Sequence, residues 1–195
     1  MAVGEIMHLL FRPVMLALLV PSVIAHAGAQ EAVGLEQLPG KPIDKGWFYY
    51  TNERYGLSVE IPASGFVYEL GERGDELTMT SQDGEQTITV YGSQDVDPNL
   101  RGNNLTLAFA ALAEAQIDAM RLGGIEVTLE HIDPLWFEVG ATDASYLYYQ
   151  KGLISANCPT LTANLWIKYP VEEHNAFDEV VRRMSKSLSM ECAAQ

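Results

Sequence analysis

The sequence predicts an α+β fold with a mainly antiparallel β-sheet covered by helices. Two observations carry this. Several short stretches alternate apolar and polar residues, the pattern of half-buried strands. Two longer stretches instead repeat apolar residues at helical spacing, and they interrupt the strands so that the chain reads strands, helix, strands, helix.

The opening strands are the clearest. Trp47 to Tyr50 is an aromatic run suited to a pleated surface. Thr51 to Gly56 is polar and ends in glycine, so the chain reverses there. Leu57, Val59 and Ile61 then alternate with Ser58 and Glu60 until Pro62, which cannot donate to a ladder. Phe66 to Leu70, Leu77 to Thr80 and Thr87 to Tyr91 continue an antiparallel meander. The Asp83-Gly84 pair between the last two is the strongest hairpin signal in the chain.

A helix is expected from Asn104, its N-cap, to Gly123, its C′ residue. Leu105, Phe109, Leu112 and Gln116 trace its buried stripe, flanked by Ala108, Ala115 and Ala119. Strands follow at Ile125 to His131, Trp136 to Ala141, Tyr146 to Ile154 and Leu161 to Tyr169, the last two bracketing a loop with Cys158 and Pro159. Asn175 is the expected cap of a final helix. Its apolar face is Phe177, Val180, Val181, Met184 and Leu188, with Arg182, Arg183 and Lys186 toward the end where the helix dipole favours cations.

Residues 1–29 have the features of a secretory signal. Arg12 precedes an apolar run, Val14 to Ala25, shorter than the roughly 20 residues that span a bilayer. Ala27 and Ala29 offer a cleavage site, as do Ala25 and Ala27, and Met7 offers a second start. Residues 30–46 lack periodicity and read as a linker or N-terminal arm. Residues 47–192 form the single domain, and 193–195 a tail. The domain is therefore expected to be exported, periplasmic or extracellular, and not an integral membrane protein once processed.

The formal charge of −14 survives loss of the signal, which holds only Glu5 and Arg12. Such a balance argues against nucleic acid, whose phosphates it would repel. Two cysteines, Cys158 and Cys192, in an exported chain imply one disulfide.

The run Tyr50-Thr51-Asn52 through Tyr55-Gly56-Leu57-Ser58 to Pro62 resembles the opening of PsbP-like domains. Ser81-Gln82-Asp83-Gly84 before an alternating strand, and the closing Arg183-Met184-Ser185-Lys186-Ser187-Leu188, resemble the same superfamily. It includes the extrinsic lumenal protein of photosystem II, a Ran-binding nuclear import factor and many bacterial exported proteins. The resemblance covers roughly Tyr49 to Leu188 and implies an α/β/α sandwich around an antiparallel sheet. Leu57 stands where phenylalanine is usual, a core exchange. No functional residue of the photosynthetic or Ran-binding members finds a match here.

The sequence offers little for catalysis. Ser64 lacks a G-x-S-x-G elbow, and His131 and His174 are the only histidines after the signal. Asp95-Val96-Asp97-Pro98-Asn99 begins like a calcium loop. Leu100 then replaces the turn glycine and Thr106 the bidentate glutamate, so it reads as a solvated loop. No metal and no cofactor is expected. Glu60, Glu69, Asp75, Glu76, Asp83 and Glu85 cluster on neighbouring strands or turns and support the alternative of a small secreted hydrolase. A third option is a structural role in an assembly.

Aromatic residues are more informative. Tyr148 and Tyr149 are adjacent on a strand and cannot both face inward. With Trp166 they form the candidate partner-binding surface, for an envelope protein, a peptide or a glycan. The preferred reading is a non-catalytic exported domain that binds or stabilises an envelope partner.

Overall fold

A computed structural model describes residues 34–38, 40–44, 46–94, 96 and 102–192. The expected signal, the tail and most of the calcium-like loop lie outside these residues.

Chain order gives strands β1 (Gly40–Asp44), β2 (Trp47–Asn52), β3 (Leu57–Pro62), β4 (Phe66–Leu70), β5 (Glu76–Ser81) and β6 (Thr87–Ser93). Helix α1 (Asn103–Leu122) follows, then β7 (Glu126–Ile132), β8 (Trp136–Thr142), β9 (Tyr146–Ser155) and β10 (Cys158–Pro170). Helix α2 (His174–Ser187) and the short β11 (Ser189–Met190) end the fold. The fold is α+β, built on two antiparallel sheets. One has the order β1-β2-β3-β11, the other β4-β5-β6-β10-β9-β8-β7.

Register sets the layers, because directly paired residues share a face. Leu77, Met79, Ile88, Val90, Ala163, Leu165, Ile167 and Tyr169 line the inner face of the large sheet. They pack against Phe48, Tyr50, Leu57, Val59 and Ile61 of the small sheet and against Phe177, Met184 and Leu188 around α2. The opposite face is covered at one end by α1. There Leu105, Phe109, Ala113 and Ile117 meet Phe137 and Val139. Each face of the large sheet thus carries one helix, the sandwich that the resemblance implies.

Several expectations need correction. The first-half strands are not one meander: β3 and β4 belong to different sheets. Pro62 ends β3, and Ala63, Ser64 and Gly65 (φ +91°) carry the chain across. Part of the expected linker is a strand, since β1 pairs with β2 from Gly40↔Tyr50 to Asp44↔Trp47. Backbone pairing needs no apolar alternation, and all five residues of β1 are exposed, so periodicity could not reveal it. Cys158 opens β10 and does not sit in a loop.

Helix boundaries also move. Gly102 (φ +53°), not Asn104, precedes α1, and no side-chain cap bond is made. At the other end Gly123 is still right-handed (φ −73°), and Gly124 (φ +80°) takes the left-handed position that only glycine adopts cheaply. Ala113 and Ile117 complete the buried stripe, while Ala115 and Ala119 face solvent. Asn175 lies inside α2, because the 3₁₀ turn Val171–Glu173 leads directly into His174.

Candidate partner-binding face

The half of the outer face that α1 leaves uncovered is built from β4, β5, β6, β10 and β9. Pairing runs one row of outward residues through Val67, Thr80, Thr87, Lys168 and Tyr148. A second row runs through Glu69, Thr78, Thr89 and Trp166 to Gln150, which α1 covers by a hydrogen bond to Gln116. The threonines are a residue type that fits a pleated surface, and the Thr78 hydroxyl donates to Glu76 Oε1 at 2.9 Å.

Tyr148 and Trp166 come together here, with ring centroids 6.2 Å apart and planes tilted by 47°. Both are half-buried. Tyr148 donates its hydroxyl to Asp143 Oδ2 at 2.6 Å. Burial, then this bond to a carboxylate, push the Tyr148 phenol up to about 12. The same bond, with the Ser145 and Tyr146 amides on Oδ1 at 2.8 Å, holds the Asp143 carboxyl below its ordinary value. Tyr146 continues the row. It donates to Glu85 Oε2 at 2.6 Å, and Lys168 Nζ lies 3.8 Å from its ring centroid. Its phenol is raised first by the bond to Glu85, then by burial and by the charges of Glu85, Asp143 and Glu172.

Tyr149 does not join this face. It is buried on the inner side as part of the apolar core, with its hydroxyl end among polar groups. Its hydroxyl donates to Glu138 and lies 2.6 Å from Ser185 Oγ on α2. Lys151 Nζ donates to the Ser185 carbonyl at 2.8 Å and to its Oγ at 3.3 Å. Burial holds the Lys151 ammonium below its ordinary pKa, with Glu138 acting against it. A serine beside a lysine is a pair that some hydrolases use. Here, however, the ammonium donates to a helix carbonyl, which ties the last turn of α2 to β8 and β9. A groove of about 690 Å³ borders this knot, with Glu138, Tyr149, Asp178, Arg182 and Lys186 among its walls.

Other sequence candidates are dispersed. Glu60 lies on the small sheet and accepts from Arg183 Nε, while Asp83 is bound within its own turn by Ser81 Oγ and the Glu85 amide. His131 stacks on Trp136, and His174 pairs with Asp178. Among the described residues, no group of three or more His, Cys, Asp or Glu could hold a metal. No helix among them is long and apolar enough to cross a membrane. Cys158 and Cys192 form a disulfide, their Cα atoms 6.0 Å apart. The sequence marks Glu85 as one of the clustered carboxylates and Tyr146 as the start of a strand but brings neither to the aromatic pair, and it singles out neither Lys168 nor Asp143. Parity held a usable signal, since Tyr146 is two residues from Tyr148 and Lys168 two from Trp166.

No protein-family model matches the chain, and no curated protein matches it either. Solved structures do. The solution structure of cyanobacterial PsbP (CyanoP) from Synechocystis superposes with a TM-score of 0.55 at 9% identity, covering 78% of this chain and 97% of that one. The Saccharomyces cerevisiae Ran-binding protein Mog1p gives a TM-score of 0.47 at 12% identity, covering 78% of this chain and 96% of that one. The layers described above and the likeness to cyanobacterial PsbP agree: the chain has the PsbP-like fold.

Proposed function

We propose that this chain is an exported, non-catalytic domain that binds or stabilises a protein of the cell envelope through the open half of its large sheet. The carrying observation is the Tyr148–Trp166 pair on a face that neither helix covers. An aromatic pair offers large contact area for little conformational entropy. Export is supported by the signal-like first 29 residues and by the disulfide. The test is capture from envelope extract with the mature protein. Trp166→Ala and Tyr148→Ala should each reduce capture of the dominant partner at least about tenfold, as expected for central aromatic contacts. Capture unchanged in both variants would defeat the reading.

A second reading, a secreted hydrolase with a strand-borne carboxylate, has one observation in its favour. Glu138 on β8 faces a groove beside Ser185 and Tyr149. Turnover of a panel of activated esters and glycosides, lost in Glu138→Gln, would promote it.

A further inference from the structure

We propose that the open face takes a basic, arginine-bearing segment of its protein partner; this rests on the docking reading above and specifies its chemistry. On this face Glu69 and Glu76 occupy outward strand positions; at one end Glu85 accepts from the Tyr146 hydroxyl and Asp143 from the Tyr146 amide, and the charge of Glu172 also acts on that phenol. Among the described residues, Lys168 is the one cation at an outward strand position there. The other described cations lie elsewhere: Lys151, Arg182, Arg183 and Lys186 are on the inner side or on α2, Arg121 ends α1, Lys41 is on β1, and Arg54 and Arg73 lie in the β2–β3 and β4–β5 turns, Arg73 facing Asp75. The surface therefore combines π faces with surplus negative charge, the two features a guanidinium uses together.

A second observation points the same way. Lys168 already sits on the Tyr146 ring at 3.8 Å, with the Glu85 carboxylate bonded to the hydroxyl of that ring. This is a cation on the face of a ring whose hydroxyl is bonded to a carboxylate, provided by the chain itself. Tyr148 with Asp143 repeats the ring-and-carboxylate half of that arrangement one pair further along, beside Trp166; Lys168, paired across from Tyr148, acts on Asp143 through its charge but places its ammonium over the Tyr146 ring. A partner arginine stacked on Tyr148 or Trp166 would complete it. A second copy of the chain is a poor occupant, because each carries −14 and would oppose carboxylates to carboxylates. An anionic polymer is excluded by the same sign.

The test uses the mature, disulfide-bonded protein and a synthetic peptide of alternating arginine and threonine, about eight residues long, enough to cross five strands about 4.8 Å apart. The readout is the Trp166 indole N–H resonance, assigned by its loss in Trp166→Phe. The arginine peptide should shift it saturably, and its glutamate counterpart should not. Raising the ionic strength from about 0.05 M to about 0.5 M should weaken binding several-fold, because exposed charges are then screened. Glu85→Gln with Glu172→Gln should weaken it about tenfold without moving the Trp166 ring, so a folding defect in Trp166→Ala is not needed for the conclusion. Absence of binding, binding that leaves the resonance unmoved, or binding indifferent to both carboxylate changes overturns the inference. So does a salt-independent shift caused by a neutral oligosaccharide of six sugars, which would make the face a glycan platform. If envelope capture depends on Trp166 but the arginine peptide fails, the docking face survives and its basic chemistry falls. If capture ignores Trp166, the docking reading itself falls.

Discussion

Gly56 shows how one residue can hold two ends of the chain together. It has φ +64°, and its carbonyl accepts the Glu191 amide at 2.7 Å. A Cβ there would lie 2.0 Å from the Glu191 carbonyl oxygen. Gly56→Val should therefore cost more than the roughly 1–3 kcal/mol of left-handed strain alone. Gly84 (φ +80°) has nothing within 4 Å of its virtual Cβ, so Gly84→Ala should cost only about 1 kcal/mol. Urea midpoints giving equal costs would mean that the Glu191 contact is absent. Tyr149 makes a different prediction. Burial first, then its bond to Glu138, raise its phenol far above the ordinary value of a tyrosine. The folded chain thus keeps this proton where the unfolded chain, titrating near 10, has lost it. The stability it contributes is complete below about pH 10 and is lost as the pH rises beyond, by up to about 1.4 kcal/mol per pH unit. Lys151, with its lowered pKa, works in the opposite direction, so the slope of wild type alone is not diagnostic. Tyr149→Phe should flatten the fall in urea midpoint between about pH 10 and 12. An unchanged slope would show that Tyr149 is not held as described.

Strand β3 is where sequence and structure can be compared most directly. Its burial alternates, with Leu57, Val59 and Ile61 inside and Ser58 and Glu60 partly exposed, as the pattern of side chains predicts. Ile61 is 0% exposed, so Ile61→Ala should cost about 2–5 kcal/mol through the cavity it leaves. Glu60 faces the other way and bridges to Arg183, whose guanidinium also reaches Asp44 at 2.8 Å and covers the Trp47 ring. That bridge is solvent-accessible, so Glu60→Gln should cost no more than about 1 kcal/mol. Denaturation in urea reversing this order would place the strand out of register. Periodicity of this kind is local, which is why every strand from β2 to β10 and both helices were legible. Sheet membership is not local. Nothing in Leu57–Pro62 or Phe66–Leu70 says that two consecutive strands leave for different sheets. The candidate site divides in the same way. Parity places either Tyr148 or Tyr149 outward. Which one depends on the long-range pairing Tyr149↔Ile167 and Tyr148↔Lys168, and on which face the small sheet and α2 cover. The polar knot of Glu138, Tyr149, Lys151 and Ser185 joins three elements and had no sequence signal at all.

At the scale of the molecule, the disulfide and the small sheet form one device. Cys158 begins β10 in the large sheet, and Cys192 follows β11, whose two residues pair with Ser58 and Leu57 of β3. So short a strand gains little from its own ladder. It is held from both sides, by the Met184 carbonyl accepting the Leu188 amide before it and by the disulfide after it. The bridged residues are 34 apart, and a loop of that length restricts the unfolded chain by about 3–4 kcal/mol on the chain-entropy model. Cys158→Ser with Cys192→Ser should lower stability by about that amount. The rest of the fold should survive, since the buried cluster around Val59, Ile61, Leu165 and Met184 needs neither sulfur. The same change should loosen the segment at Glu191 and, with it, the backbone that a side chain at residue 56 would strike. The two sites should therefore couple. In a double-mutant cycle by urea denaturation, Gly56→Val should cost about 1 kcal/mol less or better in the disulfide-free protein than in the bridged one. A coupling of zero would mean that Glu191 is fixed by β11 alone, and that the bridge acts only on the unfolded chain. A clear coupling would show that it also holds the native turn, a contribution the chain-entropy account leaves out.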